Sequence, residues 1–404
     1  MGNMRILILT TFFDSFGGAE YLVKETAEIL LKNGHIVTIV SLAGFEKKNS
    51  EKSVWKPGKN LFCLNNGPCK IDASVQNFHK LLKRVRPDVV NIWFGQGFMA
   101  ILTENAQDMG FPTVINILDP WLSHPFYRSA ILKKARGLIK IIDTIPNRQV
   151  IGKLGELLET DGDTGKIIEK GEIFKKARRV VFCSKDTKRY YDQRYHLNKN
   201  QSYLITPFIE LDKIEKIRIE KKLNNDHPPV DLVYVGRVAD FWKGFDILLR
   251  SIKGIDNLTL TIFSRSYTDI NYARFMAKKI KVDIKNINFE VNASRPQLLE
   301  KMKSADSLII PSLAEGFSLV MLEAMAVGGT VVAGPMFGGP LDVIKDGYNG
   351  YLFKPGDVLS LRKTILEAKE SRLKKEITKH AMETAEKFPK RDFVKKLERI
   401  YARI

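Results

Sequence analysis

Short apolar runs alternate with amphipathic segments along almost the whole chain. In the first half, RILILT (5–10), IVTIVS (36–41), DVVNIW (88–93), TVINIL (113–118) and VVFCS (180–184) are runs of strand length. A strand buried on both faces reads this way, so the pattern predicts a parallel sheet with helices on both sides. Between the first two, AEYLVKETAEILLKNG (19–34) has helical spacing and ends on a glycine where a C-cap belongs. A second series follows residue 230: DLVYVG (231–236), LTLTIF (258–263), INFEV (287–291), SLIIP (307–311) and TVVAG (330–334). Strand–helix alternation in two series predicts an α/β fold of two doubly wound, Rossmann-like domains facing each other across a cleft. ITPFIELDKIE (205–215) reads as the linker, and Pro228-Pro229 precede the first strand of the second series. The expected division is 1–206, 207–385, and a last helix within 386–404, apolar on one side and basic on the other, that crosses back.

With 404 residues the chain is too long for one ordinary core, which agrees with two domains. Its 44% hydrophobic and 27% charged residues are globular values. The cysteines Cys63, Cys69 and Cys183 are too scattered for a disulfide framework or a metal cluster, and fit a reducing compartment. MRILILT is one strand long with no cleavage site after it, and no apolar run reaches membrane-spanning length. The expectation is a cytoplasmic protein, docked on the inner face of the membrane if the acceptor is lipid-linked. A net charge of +19, spread over both halves, suits nucleic acid, an anionic membrane or phosphorylated substrates. No basic–aromatic interleaving or recognition helix supports the first. Residues 128–153, with seven basic residues and one acidic among leucines and isoleucines, suit the second as well as they suit a helix packed on the sheet.

The candidate chemistry lies just after strands, where ligands bind such sheets. Gly17-Gly18 follow the first strand and precede a helix, which lets backbone amides approach a ligand, though a plain tight turn reads equally well. After DLVYVG come Arg237 and then Lys243-Gly244, two cations that suit a diphosphate. The most telling stretch is EGFSLVMLEAMAVGG (315–329), an apolar helix start with Glu323 in its middle. An unpaired carboxylate there costs several kcal/mol, and neighbouring sequence offers no cation to pair with it. Residues 316–319 present free N–H groups to an anion. Glu323 can then accept hydrogen bonds from vicinal hydroxyls such as those of a ribose, and Glu315 can face a sugar. This combination describes a nucleotide-sugar site.

These residues carry a resemblance. FGGAE (16–20), GRVADFWKG (236–244) and the stretch from Ala305 to Asp357 are similar to the GT-B glycosyltransferases, specifically the retaining group called glycosyltransferase family four. Its Glu-x7-Glu motif appears as Glu315 and Glu323. The resemblance covers nearly the whole chain and implies the following roles. Arg237 and Lys243 bind the donor diphosphate and, with Glu315, serve catalysis. Glu315 contacts or orients the transferred sugar and Glu323 binds the ribose. Gly17 and Gly18, the backbone of Gly316, Phe317, Ser318, Leu319 and Val320, and the backbone near Ala293 complete the donor site. The family transfers sugar with retention, by front-face displacement and without a metal or cofactor; its partners are a nucleotide sugar and a glycan or lipid-linked acceptor.

The chain departs from the family at three places. Leu118-Asp119 stands where His-Asp is usual, Ser264-Arg265-Ser266 where Gly-x-Gly is usual, and Phe208-Ile209-Glu210-Leu211 replaces the usual linker sequence. The first removes a partner for the sugar's C6 hydroxyl and implies a 6-deoxyhexose or pentose donor, unless His124 takes the role beside Asp119. The second adds Arg265 near the nucleotide. The alternative to an enzyme is a GT-B pseudoenzyme, disabled at Leu118 and serving as a partner subunit.

Overall fold

The computed structural model describes residues 2–11, 17–41, 61–63, 71–94, 98–118, 170–211, 214, 230–264, 266–335 and 337–404. The chain divides into two compact units, Met1–Pro207 with Arg391–Ile404, and Phe208–Lys390.

In the first unit the elements run β1 (Arg5–Thr10), α1 (Gly18–Lys32), β2 (Ile36–Ser41), β3 (Leu61–Cys63), α2 (Ile71–Val85), β4 (Val89–Phe94), α3 (Phe98–Asp108), β5 (Thr113–Ile117), α4 (Glu172–Lys176), β6 (Arg179–Phe182), α5 (Lys185–Tyr195) and β7 (Ser202–Leu204). They form a seven-stranded parallel sheet in the order β3-β2-β1-β4-β5-β6-β7. Of the strand ends that differ from the expected ones, two do so because side chains claim the backbone there. Asp88 stays outside β4, where its carboxylate accepts from the Arg5 amide (2.7 Å) and guanidinium (2.8 Å). Ser184 is the N-cap of α5, its hydroxyl accepting from the Thr187 amide. The short strands β3 and β7 were not among the expected runs.

The second unit runs β8 (Val230–Val235), α6 (Phe245–Ile252), β9 (Leu258–Ser264), α7 (Tyr267–Ile280), β10 (Ile287–Val291), α8 (Arg295–Ser304), β11 (Ser307–Ile310), α9 (Leu319–Ala326), β12 (Val331–Ala333), α10 (Gly339–Val343), β13 (Tyr351–Leu352), α11 (Val358–Glu370) and α12 (Lys374–Ala385). Its six parallel strands are ordered β10-β9-β8-β11-β12-β13. Both sheets therefore reverse strand order in mid-sheet, between β1 and β4 and between β8 and β11, as doubly wound folds do. The unit's entry and exit lie side by side: Ile209 donates its amide to the Phe388 carbonyl (3.1 Å), and Lys390 pairs with Glu210 (3.2 Å). Phe208 and Ile209 are buried, so this part of the expected linker belongs to a core.

The last helix, α13 (Lys390–Tyr401), returns to the first unit from Arg391 onward. Glu398 accepts from Asn33 Nδ2 (2.6 Å) and contacts His35 Nε2 (3.3 Å), while Phe393 packs on Trp93. Its apolar side, Phe393, Val394, Leu397, Ile400 and Tyr401, is buried, which accounts for the two-sided sequence.

The amino ends of the second sheet's central strands are tied by charge. Asp306, just before β11, accepts from the Asp231 amide (3.0 Å) and from Lys369 (2.9 Å) and Lys374 (2.7 Å); Lys301 holds Asp231 (2.7 Å). Burial pushes the Asp306 carboxyl up, but that amide and the two ammonium groups together outweigh it and hold it below its ordinary value. A carboxyl lowered in the folded state adds stability above its unfolded value and loses it as pH falls through the folded one. Asp306→Asn is therefore expected to cost about 2 kcal/mol at neutral pH. Denaturant unfolding across acid pH checks this: the gap to wild type should close as the pH drops.

Candidate active site

Where strand order reverses, the loops leaving adjacent strands turn opposite ways and leave a crevice. In the second unit these are the loops after β8 and β11. The first runs through Gly236, Arg237 and Asp240 into a 3₁₀ turn, Phe241–Lys243, and reaches α6 through Gly244. Gly244 has φ +65°, and a Cβ there would lie 2.0 Å from the Pro311 carbonyl oxygen. The second loop answers with the Leu313 amide, which donates to the Trp242 carbonyl at 2.8 Å. Thus clamped, Lys243 Nζ donates to Glu315 Oε1 at 2.7 Å, and the same oxygen accepts from Ser312 Oγ at 2.5 Å.

Beyond Glu315 the backbone is pressed from the other side. A Cβ on Gly338 (φ +111°) would lie 1.6 Å from the Glu315 carbonyl oxygen, and one on Gly339 would lie 2.4 Å from Phe317 Cα. The Gly339 amide donates to Gly316 O at 2.9 Å. Ser318 then enters α9 in the left-handed region, φ 69° and ψ 85°, and its side chain caps nothing. Among the described residues no side chain caps the first N–H groups of α9, which leaves a helix start suited to an anion.

Glu323, inside α9 and 7% exposed, is paired after all. Its cation is Arg295, the first residue of α8, whose Nη2 stands 2.8 Å from Glu323 Oε1. The neighbouring sequence offers no cation, as expected; the partner lies in a different helix, brought in by the packing of α8 on α9. Burial pushes the Glu323 carboxyl up, and the Arg295 guanidinium offsets that only in part.

Arg237 forms a third pair, with Nε 2.8 Å from the fully buried Asp240, but remains half exposed. Asp269 ties the loop to the end of β9, accepting from the Ala239 amide (3.2 Å) and Ser264 Oγ (2.7 Å). Beneath them Tyr234 is buried, its hydroxyl without a hydrogen-bond partner among the described residues. Burial, reinforced by Glu315, Asp240 and Asp269, pushes that phenol well above its ordinary value.

This arrangement agrees with the comparisons. The family model described as "Glycosyl transferases group 1" matches residues 215–388. An uncharacterized glycosyltransferase of Methanocaldococcus jannaschii is 32% identical over 359 residues, 84% of this chain and 82% of that protein. The chain belongs to the group 1 glycosyltransferases. Of two further curated relatives, both uncharacterized glycosyltransferases of the same archaeon, it spans 60% and 44% of the length. The lipopolysaccharide 1,6-galactosyltransferase of Salmonella typhimurium is 39% identical over 59 residues, 15% of this chain and 16% of that one. Among solved structures, sucrose-phosphate synthase from Thermosynechococcus elongatus superposes with TM-score 0.75 at 17% identity, covering 99% of each chain. Anabaena HepE, in complex with UDP and glucose, gives 0.72 at 16% identity over 100% of each. Those likenesses show the GT-B fold.

In this member of the family the second unit gathers, at the carboxyl side of one sheet, Arg237, Lys243, Ala293, Glu315, Gly316, Phe317, Ser318, Leu319, Val320 and Glu323. Gly17 and Gly18 start α1 in the first unit, and Leu118 follows β5, its carbonyl accepting from the buried Cys183 thiol (3.4 Å). Asp119, His124, Arg265 and the basic segment 128–153 lie outside the described residues. Reading the sequence missed Asp240, Ser312, Arg295, Gly338 and Gly339. The Gly-Gly-Pro after TVVAG was the one available signal; the others depend on contacts.

The clamp is open to test. Gly244→Ala should cost about 3 kcal/mol or more, since strain at positive φ adds to a clash with main chain. Gly254, at φ +70° with nothing within 4 Å of a Cβ, is the control. Gly254→Ala should cost only the strain, roughly 1–2 kcal/mol. Thermal unfolding of both variants measures the difference.

Proposed function

We propose that this protein is a retaining, metal-independent glycosyltransferase. It moves a sugar from a nucleotide diphosphate sugar to a hydroxyl of a glycan or lipid-linked acceptor, in cell-surface polysaccharide or glycolipid assembly. The observation that carries the reading is Lys243 held beside Glu315 at the uncapped start of α9. A cation and a set of free amides there suit a diphosphate, and a buried carboxylate one turn further suits vicinal hydroxyls. The UDP bound by HepE and the lipopolysaccharide substrate named for the Salmonella relative support the donor and acceptor classes.

In this reading the Arg237 guanidinium keeps its outer N–H groups for phosphate oxygens while Asp240 holds Nε. Lys243 adds a second positive charge against the leaving diphosphate, and the α9 amides stabilise the charge that develops on it. Glu315, fixed by Lys243 and Ser312, faces the sugar. The departing phosphate takes the acceptor's hydroxyl proton on the same face from which it leaves, which retains configuration. Among the described residues no helix is long and apolar enough to cross a membrane; docking on an anionic surface falls to the basic segment 128–153.

Arg237→Ala and Lys243→Ala should each weaken nucleoside diphosphate binding about tenfold or more, as should Glu323→Gln, since charge-assisted hydrogen bonds contribute about 1.5–3 kcal/mol. Calorimetry checks this, and unchanged affinity in all three variants would overturn the assignment. Donor turnover should survive EDTA; a protein that binds donor but neither transfers nor hydrolyses it would be a pseudoenzyme instead. For Leu118 the expectation is faster turnover of a donor without the 6-hydroxyl than of its matched hexose. A hexose preference abolished by His124→Ala would give that role to His124.

A further inference from the structure

Arg295 and Glu323 are each placed where their own helix does not favour them. Arg295 opens α8, whose first turn holds no acidic residue, so its charge faces the positive end of the helix dipole. Its backbone is held firmly by a capping box: Ser294 caps the Gln297 amide while Gln297 Oε1 accepts from the Ser294 amide at 2.9 Å, with a proline in the first turn. Ala293, expected at the nucleotide base, immediately precedes this box. Glu323 lies in a run of buried residues, Met321 to Ala326. Arg295 Nη2 approaches Oε1 at 2.8 Å, and among the described residues no other charged group shifts the carboxyl. Neighbouring elements carry further charges. On α8 Lys301 is bonded to Asp231, and on α12 Lys374 is bonded to Asp306; neither Glu300 and Lys303 on α8 nor Lys375, Glu376, Lys379, His380 and Glu383 on α12 shift the Glu323 carboxyl. The strands β11 and β12 contribute no charge.

We infer that Arg295 is a positioning residue for donor recognition: it holds Glu323 as an oriented carboxylate through Oε1 and leaves Oε2 to accept from the ribose hydroxyls. The inference rests on the reading of this crevice as a nucleotide-sugar site. Because Arg295 rises from the turn at Ala293, it links the base-facing backbone to the ribose carboxylate, so base and ribose are read in one register. Without the guanidinium, a carboxyl this deeply buried takes up a proton. A neutral carboxyl accepts a hydroxyl's hydrogen bond about half as strongly as a carboxylate. Arg295 would thereby control selectivity for ribose over deoxyribose without touching the sugar.

Titration calorimetry on the full chain tests this, with UDP, GDP and ADP first and then the tightest binder against its 2′-deoxy form. Wild type should favour the ribose form about tenfold or more. Glu323→Gln should remove most of that preference. Arg295→Met should lower it about fivefold at neutral pH, with recovery as pH rises and the carboxyl ionises, while Arg295→Lys should keep most of it. The double variant Arg295→Met, Glu323→Gln should match Glu323→Gln and show no pH dependence. If Arg295→Met does not fold, Arg295→Gln keeps a neutral donor on Glu323 and should show the same pH-dependent loss. A wild-type preference with a flat pH profile in the Arg295 variants, or tighter binding by them, overturns the inference and leaves the donor site standing. Preference unchanged in Glu323→Gln overturns the ribose assignment with it. Failure of wild type to bind any of the three nucleotides overturns the donor reading itself.

Discussion

The crevice depends on one close approach, that of Gly244 to the carbonyl of Pro311. Strands β8 and β11 are hydrogen-bonded neighbours, yet the chain visits β9 and β10 between them. Their exit loops would part without something to draw them together. A residue with no Cβ, in the left-handed region, lets the main chain of one loop rest against the other, and the Leu313–Trp242 hydrogen bond closes the contact. The Lys243–Glu315 contact and the placement of α9 follow from that clamp. Gly338 and Gly339 do the same on the far side, so the short stretch from Glu315 to Phe317 is held between two main-chain contacts.

Charge is arranged with equal economy. Arg237, Lys243 and Arg295 meet Asp240, Glu315 and Glu323, so each of these three cations has an internal counter-ion. Such pairing lets partly buried charges persist at tolerable desolvation cost before a ligand arrives. It also presets geometry, since a cation already held needs little reordering when an anion approaches. Stability is supplied elsewhere: the ionic ties at Asp306 and Asp231 sit at the amino ends of the same central strands, away from the crevice.

Much of this was legible in the chain. The apolar runs located ten of the thirteen described strands, because a strand covered on both faces leaves an unbroken apolar signature. The strands β3, β7 and β13, three, three and two residues long, gave no such run. Arg237, Lys243, Glu315 and Glu323 could be named because each lies directly after a strand or within a helix start whose apolar context makes a charge conspicuous. What only the tertiary structure decided is how those charges are matched. The sequence around Glu323 holds no cation, and its partner Arg295 comes from a separate helix ordered by its own capping box. Composition and periodicity report which face of an element is buried; they do not report which element will lie against it. A long side chain on one helix meets a carboxylate on the next only through packing, and that is a property of the fold rather than of any local stretch.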